Sequence, residues 1–162
     1  MVSMSVTPDE FRKVMGEFAT GVTIVTTANS EGTPYGLTVN SFASVSMDPL
    51  LVVICLDNQL SGLTDFKDSG KFGVNILAED QKDLSDHFAQ AGTNRSEGPY
   101  VTGKTGVPLL EGVLARMECE ISTLYPGGDH LLVLGEVKRT EILQPEKKPL
   151  LYYRGSYVRI QP

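Results

Sequence analysis

The sequence predicts a mainly β domain, a closed or nearly closed barrel of antiparallel strands with a few peripheral helices. Three observations point there. Short runs of β-branched and apolar residues recur along the chain, each bounded by Gly, Pro, Asp or Asn, as strands and their turns require. Helical periodicity is confined to a few brief stretches between them. The chain, 162 residues with 41% apolar composition and no low-complexity tract, is the size of one domain with one core. In such a domain, closing a many-stranded sheet removes its exposed edges. A single domain over residues 1–162 is therefore expected.

Thr7-Pro8-Asp9-Glu10 is a helix start, with Thr as N-cap, Pro at the first helical position and Glu placed to close a capping box. Phe11, Val14, Met15 and Phe18 follow at helical spacing and Gly21 ends the segment, which predicts an amphipathic helix lying on an apolar surface. Val22 to Thr27 is β-branched and runs into the turn formers Asn29, Ser30, Glu31 and Gly32, a strand and its hairpin loop. Further strands are expected at Tyr35 to Val39, Phe42 to Val45, Leu50 to Leu56 and Phe72 to Ile76. A short helical piece surrounds Leu63 and Phe66. A second helix is expected over Glu79 to Ala91, with Leu84 and Phe88 on one face and acidic residues in the first turn, where the helix dipole favours them. Gly92 to Gly112 is rich in glycine and lacks periodicity, and reads as a surface loop able to cover a site. Strands return at Leu114 to Tyr125 and Leu131 to Leu143, turned by Gly127-Gly128-Asp129, and then at Leu150 to Tyr153 and Tyr157 to Ile160.

Composition removes several classes of function. A net charge of -6 and a pI near 4.9 leave no basic surface for nucleic-acid phosphates or anionic lipid. The apolar runs are too short to span a bilayer, and Met1 to Ser5 lacks the basic and apolar regions of a signal peptide, so a cytoplasmic protein without membrane contact is expected. Cys55 and Cys119 read as buried free thiols. His87 and His130 have no neighbouring His or Cys to share a metal with, so no metal site is expected. Gly98-Pro99-Tyr100-Val101-Thr102-Gly103-Lys104-Thr105 matches a Walker A loop residue for residue, yet no strand leads into it and Gly106 and Pro108 follow where a helix should open. There is no Gly-x-Ser-x-Gly elbow for a hydrolase.

What remains is the stretch Gly36 to Ser46. Thr38, Asn40, Ser41, Ser44 and Ser46 alternate with Leu37, Val39, Phe42 and Val45, so polar and apolar sets face opposite ways. Taken alone, this is either a solvent-facing strand pair or a neutral cradle for a polyhydroxyl chain and its phosphate.

Phe18-Ala19-Thr20-Gly21-Val22-Thr23-Ile24-Val25-Thr26-Thr27, Gly36 to Ser46 and Asp48-Pro49-Leu50 resemble the flavin reductase-like family, the small reductase components of two-component flavin-dependent monooxygenases. Matches continue in order through Phe72-Gly73-Val74-Asn75-Ile76-Leu77, Asp80-Gln81, Leu84-Ser85, Phe88-Ala89, Gly128-Asp129-His130, Gly135-Glu136-Val137 and Pro149 to Tyr157, over nearly the whole chain. The resemblance implies a split β-barrel of the FMN-binding type, a homodimer, and FMN or FAD in a groove near the subunit interface. It implies flavin contacts at Gly36, Leu37, Thr38, Asn40 and Ser41, backbone contacts at Cys55, Leu56 and Asp57, phosphate at Ser61 and Gly62, and His87 and Phe88 flanking the flavin. Many relatives place a Lys or Arg beside the phosphate, whereas Asn58-Gln59-Leu60-Ser61-Gly62 has no cation, which implies modest affinity. For the nicotinamide of NADH or NADPH the resemblance points to His130, as catalytic residue, and to Arg154, Gly155, Ser156 and Tyr157. Without the resemblance, His130 reads as a strand-start histidine partnered by Asp129, and Arg95 and Arg154 are cations that could meet a 2′-phosphate but that nothing places there. The implied activity is hydride transfer from the nicotinamide to a flavin that then leaves for a partner monooxygenase. A flavin-binding electron carrier on the same barrel is the alternative, and an oxidase of the pyridoxamine-phosphate type a remoter one.

Overall fold

A computed structural model describes residues 5–162. The signal-free start read at Met1 to Ser5 lies outside the described residues except for Ser5. In chain order the elements are α1 (Pro8–Gly16), β1 (Thr20–Gly21), β2 (Thr23–Ala28), β3 (Pro34–Val39), β4 (Phe42–Met47), β5 (Leu50–Asp57), α2 (Leu63–Ser69), β6 (Lys71–Ile76), α3 (Lys82–Ala89), β7 (Tyr100–Thr102), β8 (Pro108–Leu110), β9 (Ala115–Gly127), β10 (His130–Ile142), β11 (Leu151–Tyr153) and β12 (Ser156–Val158). The protein is mainly β, as its sequence predicts.

Seven strands form one antiparallel sheet in the order β3-β2-β6-β9-β10-β5-β4. Its two edges, β3 and β4, are consecutive in the chain and joined only by Asn40 and Ser41. Laid flat, a sheet of this many strands would hold its edges about 29 Å apart. The peptide steps from Val39 to Phe42 reach at most about 11 Å. The sheet must therefore curl until its edges adjoin at this corner. The two edges do not pair with each other, so a seam stays open between them.

Curling brings the inner face together. Val25, Val52, Ile54, Leu56, Phe72, Val74 and Val133 form a buried cluster, and Tyr35, Leu37 and Val39 from one edge pack on it together with Phe42 from the other. A second core lies outside the sheet, where Val22, Ile24, Leu77, Phe88, Leu110 and Leu150 gather under α3 and the smaller strand pairs. Strand β2 sits between the two cores and is buried from Thr23 to Thr27. Its threonine hydroxyls escape the cost of burial by donating to the carbonyls of Val39, Pro108 and Lys71.

Three differences from the sequence expectation have clear causes. The capping box on Thr7 and Glu10 is present, but α1 ends at Gly16, and Thr20–Gly21 is drawn into pairing with Tyr152 and Leu151. Among the described residues the apolar side chains expected on this helix stay largely uncovered: Phe11 is 61%, Val14 70%, Met15 49% and, just past α1, Phe18 70% exposed. Helix α3 starts at Lys82 rather than Glu79, because Ala78 bridges to Pro149 and the Glu79 amide donates to the Lys148 carbonyl, holding that stretch extended. The segment from Gly92 to Gly112 is not all loop; β7 and β8 form a hairpin that buries Val107, Leu109 and Leu110. Strands this short are below the length at which a period of two can be read.

Candidate functional site

Gly36 lies on the row of β3 that faces away from the inner core. An added Cβ there would sit 2.7 Å from Cε1 of Phe88 and 2.8 Å from the Tyr100 hydroxyl, so only hydrogen fits. Two residues on, Thr38 Oγ1 donates to the Ser85 carbonyl at 2.6 Å, which seats α3 on the strand. Leu37 faces the inner core. The side chains at 36–38 are thus committed to packing, and what this edge strand can offer a ligand is its unpaired backbone N–H and C=O groups. Phe88 is completely buried and belongs to the outer core. In this chain it packs α3 onto the strand, edge-on to Tyr100. His87 is half-buried, edge-on to Phe88 at 4.8 Å, with Nε2 hydrogen-bonded to the Glu97 carbonyl at 2.9 Å.

At the corner between the sheet edges, Asn40 lines two adjoining cavities. One, of about 200 Å³, is walled by Val22, Thr38, Tyr152 and Tyr157; the other, of about 180 Å³, by Thr20, Thr23, Phe42 and Ile76. The exposed Asn40 carboxamide makes no hydrogen bond to the described residues. Tyr157 shares a 2.7 Å hydrogen bond with the buried Ser85 hydroxyl, and partial burial raises its pKa above the ordinary tyrosine value. On the other side of the corner, Ser41 Oγ donates to the Cys55 carbonyl at 3.0 Å and accepts from the Cys55 amide at 3.3 Å. Ser41 and Cys55, both expected near a flavin, lie together, and these polar groups satisfy each other. Leu56 is buried in the inner core, and the exposed Asp57 accepts from the Gln59 amide at 2.7 Å.

His130 stands opposite Asp57 across the β5–β10 pair. Its Nδ1 is 2.7 Å from Asp129 Oδ1, and this hydrogen bond lowers the Asp129 pKa. The pairing is the one that the residues alone suggest. Asn58 locks the same end by donating its amide to the Asp129 carbonyl and its side chain to that of Gly128. The other expected nicotinamide residues lie elsewhere. Arg154 and Gly155 turn between β11 and β12 with φ of 51° and 75°, and Ser156 opens β12. Arg154 grips Glu17 through Nε at 3.0 Å and Nη2 at 2.8 Å. Of this set, Tyr157 alone reaches an Asn40 cavity, and none shares one with His130 among the described cavities.

The corner at Ser61 and Gly62 opens on a larger cavity of about 600 Å³. Gly62 lies under the Tyr35 ring, with no room for a Cβ. The Tyr35 hydroxyl is 3.4 Å from Ser61 Oγ and accepts from Arg95 Nη1 at 2.6 Å, while the Tyr100 hydroxyl donates to the Arg95 carbonyl at 2.6 Å. The expectation of a corner without a cation is corrected: the segment after α3 delivers Arg95 to it. Tyr35 and Tyr100 are residues that sequence reasoning missed as site residues, and Arg95, considered there only for a 2′-phosphate, is brought to Ser61 by the folded path of that segment.

The Walker-like segment is also explained. The Thr105 amide and hydroxyl both donate to Glu118 Oε1 at 2.7 Å, and Gly103 packs against the same carboxylate. An internal carboxylate fills the place a phosphate would take. Among the described residues no group of three His, Cys, Asp or Glu is placed to hold a metal, and no helix is long and apolar enough to cross a membrane. Both cysteines are free; Cys119 is buried as expected, its thiol pushed up to about 12 by burial, whereas Cys55 is only half-buried.

A curled sheet with an open seam, backbone-lined on one edge and flanked by small polar and aromatic cavities, defines a small mainly β ligand-binding domain. The chain belongs to the flavin reductase-like domain family, whose description matches residues 15–161. It is 41% identical to an NADH-dependent flavin reductase of a Rhodococcus species, over 94% of this chain and 86% of that one. It is 36% identical to the reductase subunit of a flavin-dependent monooxygenase of Mycobacterium tuberculosis, over 99% of this chain and 87% of that one. Among solved structures, an NADH:FAD oxidoreductase of Streptomyces globisporus C-1027 in complex with NAD and FAD fragments matches with a TM-score of 0.89 at 36% identity, covering 99% of this chain and 98% of that one.

Proposed function

We propose that the chain is an NADH-dependent flavin reductase built as a split β-barrel, transferring hydride from NADH to FMN or FAD and passing the reduced flavin to a partner monooxygenase. The observation that carries this reading is the seam at Thr38 to Ser41, in a chain of this family. The residues there fit a flavin. The edge of β3 offers backbone donors and acceptors, Tyr152, Tyr157 and Phe42 offer apolar walls, and the Asn40 carboxamide is without a protein partner.

When bound, the flavin supplies the two-electron chemistry, which leaves the protein the tasks of alignment and electrostatics. Backbone N–H groups on the β3 edge favour negative charge on the ring. Seating α3 through Gly36 and Thr38 keeps that edge rigid, and close alignment of two reactants is worth several kcal/mol of barrier, on the order of 7 in favourable cases. Asp129 holds the His130 imidazole through Nδ1, and Nε2, without a hydrogen bond among the described residues, is the ring nitrogen that would be available to the nicotinamide.

Mixing the purified protein with NADH and FMN or FAD under air tests the reading. Flavin-dependent NADH consumption is expected; its absence overturns the proposal, and a retained flavin inert to NADH indicates an electron carrier instead. His130→Ala should slow reduction in stopped flow by about 10-fold or more while changing flavin affinity little. The opposite pattern removes His130 from the nicotinamide site. Names of relatives as reductase subunits support a monooxygenase partner. A homodimer is supported by apolar surface left uncovered on the single chain, on α1 and on β4 and β5, where Val45 is 53%, Met47 84% and Leu50 48% exposed.

A further inference from the structure

Ser85 is fully buried in α3, yet its hydroxyl does not serve the helix. A serine inside a helix commonly returns its hydroxyl to the carbonyl one turn back. Here the Gln81 carbonyl takes the Ser85 amide at 3.0 Å, and the hydroxyl shares a 2.7 Å hydrogen bond with Tyr157 of β12. The Ser85 carbonyl accepts from Thr38 Oγ1 of β3 at 2.6 Å. Strands β3 and β12 belong to different sheets and do not pair. One buried residue thus ties together two strands whose side chains, Thr38 and Tyr157, line the same cavity of about 200 Å³ at Asn40. The hold on Tyr157 is shared: Tyr152 stands edge-on to its ring at 5.5 Å, Lys82 Nζ lies 5.3 Å from the ring centroid, and Asp86, paired with Lys82 at 2.6 Å, acts on the same hydroxyl. Of these groups only Ser85 is also hydrogen-bonded to β3 among the described residues. A buried hydroxyl needs a partner, so removing either member of the Ser85–Tyr157 pair releases the other.

We propose that Ser85 is a positioning residue for hydride transfer: it fixes the Tyr157 ring relative to the β3 edge, so that this wall of the Asn40 cavity holds a bound ring in register with its reaction partner. The proposal rests on the flavin reductase reading and adds to it a residue that acts through another and lines neither Asn40 cavity itself. Alignment is the main device such a site has, and a misplacement of about 1 Å can cost about 100-fold in rate. A Tyr157 ring freed from its inner hydrogen bond, but still flanked by Tyr152 and Lys82, loses part of that alignment while keeping its apolar surface.

Ser85→Ala removes the hydroxyl and keeps the carbonyl that seats Thr38, and Tyr157→Phe removes the opposing hydroxyl and keeps the ring. In stopped flow at saturating NADH and flavin, each should slow flavin reduction about 5- to 20-fold, and the double variant should be no slower than the slower single one. Flavin affinity, read by fluorescence titration, should change by less than about 2-fold in all three, because the lost alignment counts in the transfer step rather than in binding. Rate losses that multiply in the double variant, an unchanged rate in Ser85→Ala, or an affinity loss in step with the rate would make Ser85 a packing residue of α3 and overturn the proposal. Should Ser85→Ala fail to fold, Tyr157→Phe decides alone: a slowed rate at unaltered affinity supports the proposal and an unchanged rate overturns it. A wild type that consumes no NADH with flavin fails the functional reading itself, whereas an active wild type beside variants of equal rate fails this assignment only.

Discussion

Gly36 shows what a single position can be asked to do. The sequence marks it as part of a ligand-gripping stretch, but its lack of a side chain answers a different demand, the packing of Phe88 and Tyr100 across the strand. The Phe88 ring is fully buried and has nowhere to move. Gly36→Ala should therefore cost about 1–3 kcal/mol in urea unfolding, the range for overfilling a packed core. Combining it with Phe88→Leu should recover part of that cost, so the two changes should be non-additive by about 0.5 kcal/mol or more. Additive costs in the double-mutant cycle would reject the contact as the reason for the glycine. The same lesson holds at Arg95: its identity is plain in the chain, its neighbours Tyr35 and Ser61 are not.

At the scale of an element, the hairpin of β7 and β8 depends on Glu118 of β9. Burial alone would raise the Glu118 pKa, yet the Thr105 amide and hydroxyl and the Lys104 amide, helped by Arg139, bring it below the ordinary glutamate value. A carboxyl depressed in the folded state stabilises fully above its unfolded pKa of about 4.3, and that contribution is lost as the pH falls through the lower folded value. Glu118→Gln should accordingly destabilise the protein at pH 7 and much less near pH 3, as read from urea midpoints at each pH. A penalty of the same size at both pH values would show that the charge is irrelevant to holding the turn. The local pattern from Gly98 to Thr105 looks like a phosphate loop because the glycine spacing is local, while the occupant of its amides comes from a distant strand.

For the whole molecule, the apolar face of α1 and the outer surface of β4 and β5 are the parts that one chain leaves uncovered. The helix signal in the sequence was right about the cap, and its apolar stripe is largely exposed among the described residues. A second copy is the partner the proposed function supplies, so light scattering should give twice the 17.6 kDa chain mass. Val45→Glu with Met47→Glu should shift the protein toward the single-chain mass with its far-UV circular dichroism intact, because both side chains are exposed in the chain itself. A wild type of single-chain mass would reject the homodimer.

By itself the sequence determined most of the strands, their turns and the helix cap, because β-branched runs, turn formers and the Thr7-to-Glu10 box act on neighbours a few residues away. Its ordered motifs also determined the family. Tertiary structure alone decided that a two-residue corner would bring opposite sheet edges together, that the threonines of β2 would be buried between two cores, and that Arg95 would arrive beside Ser61. Each of these depends on which distant segments close on one another, and that choice is made by the burial and hydrogen bonding of the whole core rather than by any local run of residues.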